Sequence, residues 1–492
     1  MGVLLGGRGH AAWRVPLAGV ACACNALSGV GDYEVVPSTT STAAGETSAG
    51  GATSSAGKGG GSGTGGDAAA TTATGTASGA GMGGAGANGG GGSGGTGGGP
   101  PGCMKHADCP SEACLGGSCA TIVQVAAGAT FACAVLGDGT AHCWGRNHDG
   151  QLGDGTATPH HKPKPVLGLS DVVEIAVSRS AGDENPDVHA CARLANGKIK
   201  CWGDNGNGQL ATGTQGPDKP TPQPVLGNLS FSRVAVGSEH TCAVAVGGDL
   251  WCAGKDSSGQ VGDGGANEKV LIPAKVLTGV TDVTAGDAFT CALKKVRTVQ
   301  SVWCWGSNGK KQLGILAPTM ASSSVPVEVP GVSGAVAIAA GRDFACATKA
   351  PNEVWCWGDN SDAQITTMPG GEIAPPVVAM KLVQISLLSL GVDRDGFNDG
   401  GHGCAVHTFG FASCWGENTS GQVGDGTSGN KVPLPAGLMS LGSVKAISAG
   451  ADFTCAITAA GALRCWGRND EGQLGIGVQT GNEPLPLPVV WP

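Results

Sequence analysis

The chain has 492 residues, 38 acidic against 29 basic side chains and a net charge of −9, with 14% of residues charged. That balance excludes a protein that grips nucleic acid through a basic stripe. Its 20 cysteines are more than a chain kept reduced in the cytosol ordinarily carries, and they point to an oxidising compartment.

Residues 1–24 carry Arg8 and Arg14, then an apolar run over 15–23 ending Ala21-Cys22-Ala23-Cys24. Basic start, short apolar stretch and small residues at the end are the pattern of an export signal. Cys22 or Cys24 is a candidate for the lipidated first residue of a bacterial lipoprotein, although Gly19 and Ala21 stand where that pattern has Leu. Cleavage after Ala23 without lipid is the alternative. A lipid anchor is the only membrane attachment expected, because no other stretch reaches the 18 or so apolar residues of a span.

Residues 25–102 form a low-complexity linker, nearly all Gly, Ala, Ser and Thr from residue 37 onward. With so few apolar side chains it cannot bury a core, and a flexible tether spanning roughly 40–50 Å is expected. Residues 103–120 follow, with Cys103, Cys109, Cys114 and Cys119. They read as a small knot of two disulfides in any of three pairings; a zinc site using His106 is the alternative.

From residue 121 to 492 one pattern recurs seven times. An aromatic residue stands two places before a cysteine, and a second cysteine follows ten residues later (thirteen in the fourth copy), usually in Cys-Trp-Gly. A glutamine comes eight residues after that. In chain order the pairs are Cys133 and Cys143, Cys191 and Cys201, Cys242 and Cys252, Cys291 and Cys304, Cys346 and Cys356, Cys404 and Cys414, Cys455 and Cys465. Successive second cysteines lie 58, 51, 52, 52, 58 and 51 residues apart. A period near 50 residues built of short apolar strands and glycine turns predicts an all-β propeller with seven blades.

Within each copy the cysteines flank a hairpin. Counting inward from both leaves a three-residue loop whose last position is Gly139, Gly197, Gly248, Asn352, Gly410 or Gly461 in six copies, where a left-handed backbone is required. That register sets the cysteines directly opposite each other, Cα atoms about 4.5 Å apart, and predicts seven disulfides inside the blades. The aromatic position (Phe131, His189, His240, Phe289, Phe344, His402, Phe453) exchanges His with Phe and reads as buried packing. The tryptophans after the second cysteine read as inter-blade filling, with Ala253 breaking the pattern in the third copy. The glutamines Gln151, Gln209, Gln260, Gln312, Gln364, Gln422 and Gln473 are expected to satisfy backbone groups in a turn. The Pro-Val segments, such as Pro165-Val166 and Pro326-Val327, suit an outermost strand.

The run Gly450-Ala451-Asp452-Phe453-Thr454-Cys455-Ala456-Ile457, then Cys465-Trp466-Gly467-Arg468-Asn469-Asp470-Glu471-Gly472-Gln473-Leu474-Gly475, resembles the regulator of chromosome condensation repeat. The resemblance extends over residues 121–492 and implies a seven-bladed propeller. The family's nuclear members promote nucleotide exchange on a small GTPase and bind chromatin. An acidic chain stitched by disulfides outside the cytosol does not meet such partners, and fold alone does not transfer a function.

No Gly-x-Ser-x-Gly elbow, His-Glu-x-x-His or P-loop occurs in the chain, so a non-enzymatic protein without a metal or other cofactor is expected. Two features rise above the repeat. Copies two and six lengthen the same first-to-second-strand connection: residues 178–188, with Asp183, Glu184 and Asp187, and residues 391–403, with Asp393, Asp395, Asn398 and Asp399. Equivalent connections leave a propeller on one face, where loops on a rigid frame commonly bind. The second insert has the oxygen density of a calcium loop but lacks the closing Glu, so a solvated acidic loop competes with calcium there. Trp251, Trp303 and Trp355 stand before the second cysteine in copies three to five. At a position that takes polar residues elsewhere, they are either a binding patch for protein or carbohydrate or further inter-blade packing. The expectation is an exported, monomeric scaffold that binds another protein, with polysaccharide binding as the alternative.

Overall fold

The computed structural model describes residues 103–179, 187–316, 320–350, 353–379, 382–392 and 401–492. Seven four-stranded antiparallel sheets form a propeller, and in each the spatial order of strands follows chain order. Blade 1 is Ile122–Ala127, Phe131–Leu136, Ala141–Gly145 and His160–Pro165; blade 7 is Val444–Ala449, Phe453–Thr458, Leu463–Arg468 and Asn482–Pro488. First strands pack side by side around the axis, that of blade 7 against that of blade 1. Two faces result. First-to-second connections and the glutamine turns lie on one, here called the insert face; the second-to-third hairpins lie on the other, the hairpin face.

The predicted register holds in every blade. Cys133 lies directly across from Cys143, Cys191 from Cys201, Cys242 from Cys252 and Cys291 from Cys304. Cys346 likewise faces Cys356, Cys404 faces Cys414 and Cys455 faces Cys465. All seven pairs are disulfides with Cα atoms 4.0–4.1 Å apart, as strands facing each other without an intervening hydrogen bond require. The hairpin glycine is left-handed as expected, with φ 81° at Gly139 and 94° at Gly461; Asn352 lies outside the described residues. The Pro-rich strands are outermost, where a missing N–H costs no ladder bond.

How the ring closes is not evident in the sequence, and the structure answers it without strand exchange, since each blade is one continuous stretch. Blade 7 meets blade 1 through Ala451 N–H to the Gly128 carbonyl (2.9 Å) and Gly477 N–H to the His161 carbonyl (2.8 Å). Ala127 N–H to Ser448 Oγ (2.9 Å) and the Trp144 indole to the Gln473 carbonyl (2.9 Å) complete the seam.

The knot pairs Cys103 with Cys114 and Cys109 with Cys119. This overturns the zinc alternative: all four sulfurs are consumed, and His106 Nδ1 already accepts from Cys114 N–H at 3.0 Å. The knot docks on the hairpin face over the closing seam. Glu112 takes the Arg464 guanidinium on both oxygens, at 2.6 and 2.9 Å. Ala113 joins Ile122, Trp144, Leu463 and Trp491 in one buried cluster.

Candidate functional site

The repeated polar residues turn out to be a seam code. Each glutamine Oε1 accepts the N–H two residues before it, from Asp149, Asn207, Ser258, Lys310, Asp362, Ser420 and Glu471 in turn. That turn fixes the glutamine's own carbonyl, which accepts the indole N–H of the next blade's tryptophan at 2.8–3.0 Å in six seams. In the seventh, Ala253 replaces the tryptophan, and the Gln209 carbonyl keeps the Thr241 Oγ1 donor (2.7 Å), of the kind Thr290 and Thr454 also supply in seams that have their tryptophan.

The histidines follow a rule not noticed in the sequence. His189, His240 and His402 place Nε2 2.8 Å from the Thr241, Thr290 and Thr454 hydroxyls of the following blade. Blades with Phe at this site are followed by Ala190, Ala345, Gly403 or Ala132. Each threonine spends its one proton on a glutamine carbonyl, so Nε2 must be the donor to it. Burial holds the rings neutral, pushing His189 and His402 down to about 3 and His240 to about 4. They are packing groups rather than catalysts.

The pair His240–Thr290 can be tested directly. Thr290→Ala strands a buried N–H and should cost ~1–3 kcal/mol, while His240→Phe with Thr290→Ala should recover most of it. Because the folded-state pKa of His240 lies below the unfolded value, the wild type loses stability as pH falls from about 6.5 toward 4, by about 1.4 kcal/mol per unit for this ring. The double variant should therefore overtake the wild type by roughly 2–3 kcal/mol between pH 7 and 4.5, read from denaturant melts.

On the insert face, the described end of the first insert meets the seam between blades 1 and 2. Asp149 is pushed up to about 6, chiefly by burial; Arg146 opposes the rise, and Asp218 and Asp187 add to it. Asp204 is raised by burial, with Asp187 and Asp218 adding repulsion. Asp187 thus belongs to an acidic cluster that sequence reasoning placed only in part. Asp183, Glu184, Asp393, Asp395, Asn398 and Asp399 lie outside the described residues, and with them the calcium loop. Among the described residues the one trio of metal-type donors within 4.8 Å of each other is Cys103, Cys109 and Cys119, all disulfide-bonded.

Trp251, Trp303 and Trp355 hold equivalent places on the third strands of blades 3, 4 and 5, opposite Ala243, Ala292 and Ala347. All three are partly buried against inter-blade clusters. Lys294 Nζ sits 4.7 Å from the Trp303 ring and Lys349 Nζ 4.9 Å from that of Trp355, so ammonium groups occupy ring faces on which a sugar would stack. The position is also deeper than its polar occupants imply: His142 and Ser413 are buried, the first edge-on to Trp491 and the second bonded to His407. An aromatic tip missed in the sequence lies on the hairpin face of blade 6, where Phe409 is 75% and Phe411 48% exposed. Its signal was Phe-Gly-Phe where blades 1, 2, 3 and 7 have small or polar residues at the matching positions.

These features define a rigid seven-bladed scaffold, stitched within each blade by a disulfide and between blades by indole-to-carbonyl bonds. The chain belongs to the family of the Regulator of chromosome condensation (RCC1) repeat. One form of that repeat matches residues 122–151, 231–260, 335–364 and 444–473, and another matches 138–183, 196–244, 247–293, 301–348 and 414–457. The ultraviolet-B receptor UVR8 of Arabidopsis thaliana is 26% identical over 366 residues, 72% of this chain and 79% of that protein. The human E3 ubiquitin-protein ligase HERC2 is 32% identical over 197 residues, 39% of this chain but 4% of that protein. Among solved structures, Prp20p of Saccharomyces cerevisiae superposes with TM-score 0.60 at 17% identity, covering 79% of this chain and 90% of that one. Human WBSCR16 gives 0.58 at 19%, covering 72% and 94%. At such identities these structures speak for the fold alone.

Proposed function

We propose that the protein is an exported, non-enzymatic propeller that acts as a monomer and binds a protein partner through its insert face, anchored by a lipid on Cys22 or Cys24. The carrying observation is the placement of the knot. The chain enters the propeller at Cys103 on the hairpin face, tied to blade 7 by Glu112 and Arg464, so both long connections leave from the opposite face. The point of entry therefore leaves the insert face clear. The seven blade disulfides support an oxidising compartment. Within the family, Prp20p has been studied for its binding to Gsp1p and histones and solved with Kap60; those partners belong to that protein, and they support only the view that such propellers serve protein recognition. Capture from the host's envelope fraction tests the proposal. Replacing residues 393–400 with two glycines should cut recovery of the partner at least about tenfold, roughly the loss of one strong interfacial contact, while Trp303→Ala leaves it unchanged. Retention on a polysaccharide matrix that Trp303→Ala abolishes would instead favour the carbohydrate reading.

A further inference from the structure

Six blades carry a buried asparagine two residues after Cys-Trp-Gly: Asn147, Asn205, Asn308, Asn360, Asn418 and Asn469, each 0–1% exposed. Its Oδ1 accepts the N–H five residues on, at 2.9–3.3 Å. Its Nδ2 donates to carbonyls of the loop leading to the outermost strand, eight to twelve residues on, at 2.9–3.1 Å. One amide thus ties the glutamine turn to that loop.

Blade 3 has Asp256 in that place. Its Oδ1 makes the same bond, accepting from the Val261 N–H at 2.8 Å, so the side chain lies the same way. Oδ2 therefore stands where the other blades set a donor, and an ionised carboxylate has none to give. Asp256 is 4% exposed, and its Oδ2 is buried without a hydrogen-bond partner among the described residues. The adjacent lysines do not answer it: Lys255 pairs with Glu239, and Lys269 Nζ reaches the Gly206 carbonyl. A second carboxylate stands close. Asp263 holds the place of Asp154 in blade 1, whose Oδ1 lies 3.2 Å from the Asn147 Nδ2. Asp154 is engaged by the Thr156 hydroxyl and the His160 ring, but blade 3 has Gly265 and Lys269 at those positions, and Asp263 takes the Gly265 N–H at 2.7 Å. Burial first, and the Asp263 charge with it, push Asp256 up to about 6, against the Val261 and Gly262 N–H groups. At neutral pH a desolvated anion thus faces a second anion, an arrangement that favours a cation between them.

We propose that this turn of blade 3 binds a calcium ion, with Asp256 Oδ2 and the Asp263 carboxylate as its charged ligands and carbonyls of residues 264–268 completing the oxygen shell. Calcium takes carboxylates and backbone carbonyls together in irregular shells. With only two carboxylates, a weak site of Kd about 0.1–1 mM is expected. The other occupant that would satisfy Oδ2 is a proton, and the experiment separates the two. The site is independent of the protein partner.

Thermal melts of the full oxidised chain near neutral pH, in EGTA and in about 10 mM calcium chloride, decide it. Calcium should raise the wild-type midpoint by about 2–3 °C. Asp256→Asn installs the residue of the other six blades, so it should fold, melt above the wild type in EGTA and gain nothing from calcium. Asp263→Asn should lose most of the rise. Replacing residues 393–400 with two glycines removes the acidic second insert and should leave the rise intact. No rise in the wild type, an equal rise in Asp256→Asn, or loss of the rise with the insert would each overturn the site. In the first case Oδ2 holds a proton instead. Because the folded-state pKa of Asp256 is raised above its unfolded value, the wild type would then gain on Asp256→Asn as pH falls from about 6 toward 4.

Discussion

Reduction of the blade disulfides is expected to abolish the fold. Each bridge closes a ring of 10 residues, or 13 in blade 4, and constrains the unfolded chain by roughly 2–3 kcal/mol. The seven loops are short and do not overlap along the sequence, so their effects should add, to roughly 15–20 kcal/mol. A net folding free energy is ordinarily ~5–15 kcal/mol, less than that sum. The sulfurs are all buried, so reductant alone should act slowly on native protein, limited by opening of the blades. In moderate urea it should act fast. On dilution from urea, the oxidised chain should refold and regain its near-ultraviolet spectrum, while the chain kept reduced should not. Full recovery of the spectrum under reductant would show that the blades stand without their bridges.

The second large effect is expected at the closing seam. Trp144 is fully buried and gives its indole proton to Gln473 of the last blade. Removing a side chain of this size from a packed site costs about 3–5 kcal/mol, and Trp144→Ala should lower stability by that amount in a urea melt. A compensating change is already present in the molecule. A Cβ on Gly475 would stand 2.7 Å from the Trp144 Nε1, and five of the seven seams have glycine there; Thr366 takes the place beside Trp415 on a backbone that is not left-handed. The seam that lacks its tryptophan carries Ala211 at the glycine position and Ala253 at the tryptophan position, and Ala211 keeps the left-handed backbone, φ 56°. Gly475→Ala should therefore be strongly destabilising in the wild type and much milder beside Trp144→Ala. The double-mutant cycle should return a coupling of about 1–3 kcal/mol. Independent, additive effects would mean that the two positions do not share one space.

What the sequence revealed and what it hid have the same physical root. Cysteine pairing was legible because a hairpin register is counted from its turn, and the turn announces itself in six copies by a glycine or, at Asn352, the next residue best suited to a left-handed backbone. The seven-fold frame was legible because each blade repeats the same strand pair and glutamine, and six of the seven repeat the tryptophan. Ring closure was hidden because the last seam uses the same contacts as the others, so nothing at Gln473 or Trp144 marks it. The His–Thr pairing was present in the letters, but it crosses blades, His240 to Thr290, and a reading one blade at a time passes over it.

The whole account rests on oxidised blades. Protein taken from its native host, denatured without reductant in the presence of iodoacetamide and mapped by peptide mass, tests this directly. The blade cysteines should take up no label and appear as seven linked pairs, Cys133 with Cys143 through Cys455 with Cys465. Fourteen carbamidomethylated cysteines at those positions would contradict it.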